Sequence, residues 1–317
     1  MKKKILVTGG SGYKGIILIK SLLKNGYKVI NIDKNIFGNY FFKHKNLENY
    51  KLDIQDIAKI NLKNVHSCIH LASIANDPMT DLNPSLSWET SALGTYILME
   101  YLIKNKVKKI IYASSGSVYG IKKEKKVTEK LSLKPISTYN KVKMVTERII
   151  LSYKDKINAI IVRPATVCGY SPRMRLDVSV NMLTFQALKN KKITVFGGKQ
   201  KRPNIHIDDI IGVYLFFVKN NSIKHGVFNA GFENLSILDI AKNISKRIDS
   251  KLVVKKNVSD NRSYNLDSSK LLKLGFKPKK NIYLAISELR ELYKKKILKD
   301  KPNFHSIKWL KKKLKTL

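Results

Sequence analysis

Thr8-Gly9-Gly10-Ser11-Gly12-Tyr13-Lys14-Gly15 follows a short apolar run, Ile5 to Val7. It opens a segment in which Ile16, Ile17, Ile19, Leu22 and Leu23 recur at helical spacing. Gly9, Gly12 and Gly15 have GxxGxxG spacing. Glycine lets the chain turn tightly and brings backbone N–H groups close to a pyrophosphate at a helix N-terminus. A strand, a glycine turn and an amphipathic helix in that order supply the context such a pattern needs. Tyr13 and Lys14 lie inside the turn.

The next apolar run, Val29 to Ile32, ends at Asp33. A carboxylate there can accept from both hydroxyls of an adenosine ribose and would repel a 2′-phosphate. That favours NAD over NADP, against a small opposing pull from Lys34. Further strands are expected at Cys68 to Leu71, Ile110 to Tyr112 and Ile160 to Val162, with helices over about Leu86 to Lys104 and Asn140 to Ser152. Strands alternating with helices imply βαβ units and a parallel sheet, covered on both faces because its strands are apolar throughout. The expected fold is an α/β Rossmann doubly wound sheet. After Gly169 the pattern loosens into short strands at Val195 to Phe196, Gly226 to Asn229 and Lys251 to Lys255. This predicts a dinucleotide-binding domain over 1–170, with a returning segment at about 201–230. A smaller α+β domain would occupy most of 171–317.

The chain has 317 residues, with 62 Lys or Arg, 23 Asp or Glu and a formal net charge of +39. At 43% hydrophobic residues it is globular, too apolar for a disordered basic tail. Eight of the basic residues are Arg and the rest are Lys. Gripping phosphates or base edges bidentately favours Arg, so nucleic-acid binding is set aside as the main activity. Attraction of small anions is the better use of the charge. Cys68 and Cys168 form neither a disulfide framework nor a zinc spacing, which suits a reducing cytosol; no metal site is expected. The opening apolar run stops too early for a signal peptide. No run reaches the ~18 apolar residues of a membrane span.

Ser115 lies in Ala113-Ser114-Ser115-Gly116-Ser117-Val118-Tyr119-Gly120, at the carboxyl end of a strand, where open α/β sheets bind ligands. Tyr139 and Lys143 are i and i+4 on the following helix and share one face. Tyr139 is the candidate general base. Lowering a phenol by ~3 pKa units takes ~4 kcal/mol, which a nearby ammonium and a bound oxidised nicotinamide could supply. Ser115 could hydrogen-bond the substrate hydroxyl.

Together these residues resemble the extended short-chain dehydrogenase/reductases, of the NAD-dependent nucleotide-sugar epimerase/dehydratase type. The resemblance runs through Thr8 to Gly15, Asp33, Asp53-Ile54, His70-Leu71-Ala72, Ser114 to Gly120, Tyr139 to Lys143 and Arg163-Pro164, in order. It implies that Asp53 and Ile54 flank the adenine, that Leu71 and Ala72 line the cofactor site, and that Lys143 also holds the nicotinamide ribose. Asn181, Arg202 and Arg262 match positions that contact the substrate diphosphate. Dehydratases of this family carry an Asp-Glu pair where this chain has Gly116 and Ser117. Ser114 to Gly120 is closest to UDP-glucose 4-epimerase-like members, which oxidise C4 of the sugar and return hydride to the other face. Ser91 stands where the family has Asn, and Thr166 replaces the Asn that follows Arg in epimerases. Ala165 to Asp177, with Asn181 after it, resembles a subgroup that includes GDP-heptose 4-dehydrogenases, which release a keto sugar. Arg173 and Arg175 either contact substrate or pair with Asp177. A non-catalytic NAD-binding protein is the alternative of another class, and Ser115, Tyr139 and Lys143 together speak against it. The partners implied are a nucleotide-diphosphate sugar and a second copy of the chain in a homodimer.

From Lys294 to Leu317 there are ten Lys and one Asp. Ile307, Leu310, Leu314 and Leu317 have helical spacing, with Trp309 beside them. A basic amphipathic helix can lie on an anionic membrane. The preferred expectation is a helix docked on its own domain with its lysines in water.

Overall fold

The computed structural model describes residues 3–255 and 264–315. The first half alternates strand and helix: β1 (Lys4–Thr8), α1 (Tyr13–Lys24), β2 (Lys28–Asp33), β3 (Leu47–Lys51), β4 (Val65–His70), α2 (Asp77–Leu82), α3 (Pro84–Trp88), α4 (Gly94–Lys104), β5 (Lys109–Ala113), α5 (Thr138–Ser152) and β6 (Asn158–Pro164). These are followed by β7 (Thr166–Cys168), α6 (Ser179–Asn190), β8 (Lys192–Phe196), β9 (Lys201–His206), α7 (Ile207–Lys219), β10 (Gly226–Ala230), β11 (Glu233–Ser236), α8 (Ile237–Ile248), β12 (Lys251–Lys255), α9 (Ser269–Lys273), α10 (Ile282–Lys294) and α11 (Ser306–Lys313).

Seven strands form one sheet in the order β10-β6-β5-β4-β1-β2-β3, and every pairing is parallel. Strand order reverses between β1 and β4, the switch point at which such sheets bind ligands. The glycine turn sits there and is packed too closely for any other residue. A Cβ on Gly9, at φ +76°, would stand 2.7 Å from the Ala72 amide nitrogen. One on Gly15 would stand 2.3 Å from the Gly9 carbonyl oxygen. Both faces of the sheet are covered, which is why Ile5, Leu6, Ile69 and Ile110 are all fully buried.

The later segments build a second layer. β11, β9 and β7 form one small sheet and β12 and β8 another, with α6, α8 and α10 packed around the latter. Of the expected returning segment, β10 joins the main sheet beside β6 and α7 packs on α1. β9 instead goes to the three-stranded sheet.

Two expectations change. The helix read over Leu86 to Lys104 is three pieces: α3, a π-helical turn at Glu89–Leu93, and α4. Asn83 caps α3 through the Leu86 N–H and Pro84 starts it, so the helix begins earlier than its apolar pattern. The basic segment at the end of the chain does dock, but on the first half of the molecule. Leu310 is fully buried with Ile74 and Met79, and Ile36, Phe37, Ile307 and Leu314 pack around them. Leu317 lies outside the described residues; the rest of the stripe, covered in this way, is not available to lie on a bilayer. Among the described residues no helix is long and apolar enough to cross a membrane.

Candidate active site

A cleft of about 500 Å³ opens along the carboxyl ends of the central strands. Its dinucleotide end is built by the glycine turn. Gly12 caps α1 without any side-chain oxygen to take up the first-turn amides, and the end of a helix left in this way suits an anion. Gly9, Gly12, Tyr13, Lys14, Gly15, Asp33, Asp53, Ile54, Leu71 and Ala72 all line the cleft. Asp33 is held by N–H groups of Ser11 (2.9 Å) and Asn35 (2.7 Å). Burial pushes its carboxyl up from the usual range, against the pull of those two donors and of Arg173. Lys34, read as a weak counterweight to NAD, is turned aside into an ion pair with Asp53 at 2.7 Å. The turn is braced from below: Thr8 hydrogen-bonds His70 Nδ1 at 2.6 Å, and His70 Nε2 meets Thr95 at 2.8 Å.

The residues expected to transfer a proton lie at the other end. Ser115 and Tyr139 line the cleft. Ser137 caps α5 through the Asn140 N–H and fixes the turn carrying Tyr139. Ser115, Ser117 and Asn140 form a chain, with Ser115 Oγ 2.7 Å from Ser117 Oγ and Ser117 Oγ donating to Asn140 Oδ1 at 2.5 Å. Lys143 is buried behind Tyr139. Its Nζ donates to the Ala113 carbonyl at 2.9 Å and lies 4.9 Å from the Tyr112 ring centre and 5.9 Å from that of Tyr139. Burial pushes Tyr139 up to about 12, with Asp77 adding to the rise, while the Ser115 hydrogen bond and Arg175 oppose it. Burial, helped by Lys14, pulls Lys143 down to about 7, and Glu147 opposes. In the ligand-free cleft burial thus works against the acidified phenol expected with NAD bound. Desolvation is the largest influence on both groups, and the ammonium is directed at the Ala113 carbonyl.

The arginines divide. Arg175 makes a bidentate pair with Asp177, at 3.0 and 3.1 Å, and still lines the cleft. Arg173 does not pair with Asp177. It stacks over Phe37, its guanidinium carbon 4.3 Å from the ring centre, and donates to Ser306 Oγ at 2.9 Å. Thr166 and Arg202 line the cleft. Asn181 does not: it is fully buried, its Oδ1 accepting from the Gly169 N–H and its Nδ2 donating to Tyr13 and to the Arg175 carbonyl. It ties the glycine turn to the arginine turn instead of facing a ligand. Arg262 lies outside the described residues.

Sequence reasoning missed several cleft residues. Asp77 and Phe37 line it, as does Ile307 of α11. Asn76, which precedes Asp77, has φ +96°, a conformation non-glycine residues hold only under constraint. No periodic signal marks loop positions such as Phe37 and Asn76, and the helical spacing that includes Ile307 does not say that it reaches the cleft. Ser91, where the resembled family has Asn, is buried on the π-helical turn and reaches Ser73 Oγ at 3.0 Å. Behind the site Glu147 and Arg163 form a two-pronged buried ion pair at 2.9 and 2.6 Å. Glu147 also accepts from Ser114, beside Ser115.

A doubly wound sheet, a glycine turn at its switch point, and Ser115 and Tyr139 on one cleft wall with Lys143 buried behind them define a dinucleotide-dependent enzyme of the short-chain dehydrogenase/reductase type. A family model described as the NAD dependent epimerase/dehydratase family matches residues 5–231, and the chain belongs to that family. Its cofactor is NAD. The chain is 34% identical over 257 residues, 75% of its length, to a Bacillus subtilis protein called an uncharacterized UDP-glucose epimerase, covering 79% of that protein. It is similar to the UDP-glucose 4-epimerase of Thermotoga maritima, solved with UDP-glucose (TM-score 0.84, 27% identity, 93% of this chain and 100% of that one). It is also similar to the UDP-glucuronic acid 4-epimerase of Bacillus cereus, solved with UDP-glucuronic acid and NAD (TM-score 0.79, 29% identity, 92% and 99%).

Proposed function

We propose that the protein is a nucleotide-sugar 4-epimerase that oxidises C4 of the sugar and reduces it again from the opposite face. The observation that carries this is the placing of Ser115 and Tyr139 on the wall of a cleft continuous with the glycine turn, with Gly116 and Ser117 where a dehydratase would need two carboxylates. Tyr139 Oη takes the proton of the 4-hydroxyl and later returns it. Ser115 Oγ, already part of a relay through Ser117 to Asn140, orients that hydroxyl. Lys143 supplies positive charge behind the phenol and donates to a nicotinamide ribose. Bound NAD supplies the hydride acceptor and donor. Gly9, Gly12, Tyr13, Lys14 and Gly15 hold the pyrophosphate, Asp33 the ribose, and Asp53 with Ile54 the adenine, with Leu71 and Ala72 along the wall. Thr166, Arg175, Arg202 and Arg262 serve the sugar-nucleotide end.

The relatives' names make UDP-sugars the first substrates to try. Incubation with UDP-, GDP- and dTDP-sugars, followed by NMR of the products, tests the proposal. A C4 epimer formed without lasting NADH absorbance is the expected result. A 4-keto sugar with stoichiometric NADH would establish instead the 4-dehydrogenase suggested by the Ala165 to Asp177 segment. No turnover of any sugar would leave an NAD-binding protein. A homodimer in the cytosol belongs to the same proposal. Both cysteines are buried and unbridged, and Leu93 and Tyr96 remain about half exposed near the start of α4.

A further inference from the structure

Two arginines leave one short turn in different directions. Arg175 pairs with Asp177, and its charge reaches Tyr139 on one side and Tyr13 of the glycine turn on the other. Arg173 is 3% exposed and, besides the charges of its neighbours Arg175 and Asp177, feels those of Tyr40 and Asp33 at the dinucleotide end. Its Nη2 is taken by Ser306 and its flat face by Phe37, but its buried Nε has no hydrogen-bond partner. A guanidinium N–H left without an acceptor in a buried site is costly. A ligand oxygen removes that cost.

What holds Arg173 there is the basic segment that the composition left unexplained. Ser306 begins α11. Trp309 Nε1 donates to the Ile36 carbonyl at 2.7 Å, and Asn303 Nδ2 donates to the Phe37 carbonyl at 2.7 Å and to the Tyr40 hydroxyl at 2.8 Å. The Phe304 carbonyl accepts from the Leu176 N–H at 3.0 Å. One short stretch, 303–310, thus fastens the loop after Asp33 to the turn carrying Arg173. Ile307 forms part of the cleft wall itself.

Building on the proposed function, we propose that Arg173 is a cofactor-holding residue that contacts oxygen atoms of the adenosine half of NAD, and that segment 303–310 is a clasp that slows NAD release. The lysines of α11 point to water while its apolar face closes the cofactor end. Slow release suits a redox-neutral epimerase, whose NAD is re-oxidised in place. A dehydrogenase must exchange it each turnover.

The test compares the wild type with Arg173→Met, Ser306→Ala and Trp309→Phe. NAD per chain is measured after gel filtration, NAD dissociation rate by stopped-flow dilution, and sugar-nucleotide KM at saturating NAD. Arg173→Met should release NAD roughly ten- to a hundred-fold faster, the scale of a lost charged hydrogen bond. Ser306→Ala and Trp309→Phe should each do so about three-fold or more, with sugar-nucleotide KM changing less than two-fold in all three. Unchanged NAD release with a raised sugar-nucleotide KM would return Arg173 to the substrate side and overturn the proposal; so would no change in either. Thermal melting checks folding. If Arg173→Met does not fold, Ser306→Ala and Trp309→Phe decide, since both keep the guanidinium. Faster NAD loss in these variants, from an enzyme found to make keto sugars, would leave the clasp standing and remove only the epimerase.

Discussion

Tyr139 and Lys143 are one helical turn apart, and burial drives both toward neutrality. The phenol is pushed up to about 12 and the ammonium down to about 7. For Lys143 the consequence for stability has a definite sign. Its folded pKa is below the ordinary 10.5, so between about pH 7 and 10.5 the unfolded chain binds a proton that the folded chain has released. Stability therefore rises with pH. Lys14, pulled down to about 8 by burial and by Arg175, acts in the same direction. The two buried thiols, raised from an ordinary value of 9.0, oppose this above pH 9. Urea midpoints of the ligand-free protein should climb from pH 7 to 8.5, and Lys143→Met should flatten that climb. For catalysis, Tyr139→Phe should lower kcat by ~10²- to 10⁴-fold, the usual contribution of a positioned proton-transfer group. NAD content should stay at the wild-type level, and a kcat within two-fold of wild type would exclude Tyr139 as the base.

At the scale of elements, the strand–turn–helix unit at the start of the chain is constrained from three sides. Gly9 is in a left-handed conformation against the backbone of Leu71 and Ala72, so it must lack a side chain for reasons of both strain and space. Gly9→Ala should yield a folded protein that retains less than a tenth of the wild-type NAD after gel filtration, read by absorbance of the denatured supernatant. The region Leu86 to Lys104 teaches a different lesson. Its apolar spacing predicts one helix, but a π-helical turn brings the Ser91 carbonyl to Thr95 and its side chain to Ser73, behind the cleft. Periodicity reports which face is buried. It does not report where the hydrogen-bond ladder slips, because a π turn changes register without changing composition.

For the whole molecule, the +39 charge is a long-range field and not a binding site. Cleft arginines do local work while most lysines are solvated, so the field should raise the encounter rate with dianionic sugar nucleotides and be screened by salt. Raising NaCl from 50 to 300 mM should lower kcat/KM several-fold, mainly through KM, as steady-state assays would show. An unchanged kcat/KM would mean that the surface lysines take no part in capture.

The glycine spacing, Asp33, and the Ser115, Tyr139 and Lys143 set were legible because each lies in a local pattern whose geometry is dictated by strand ends and helix turns. So were the doubly wound sheet and the family. The tertiary structure alone decided what depended on partners far apart in the chain. Lys34 is drawn into an ion pair with Asp53, and Asn181 is buried as a tie between two turns. Arg173 and Arg175, two residues apart, take different partners, Phe37 and Ser306 for the first and Asp177 for the second. The basic segment after Lys294 has the pattern of an amphipathic helix, which says that it must cover its apolar stripe but not with what. Packing against Ile36, Ile74 and Met79 answered that, because burial is satisfied by whichever surface the completed fold brings near.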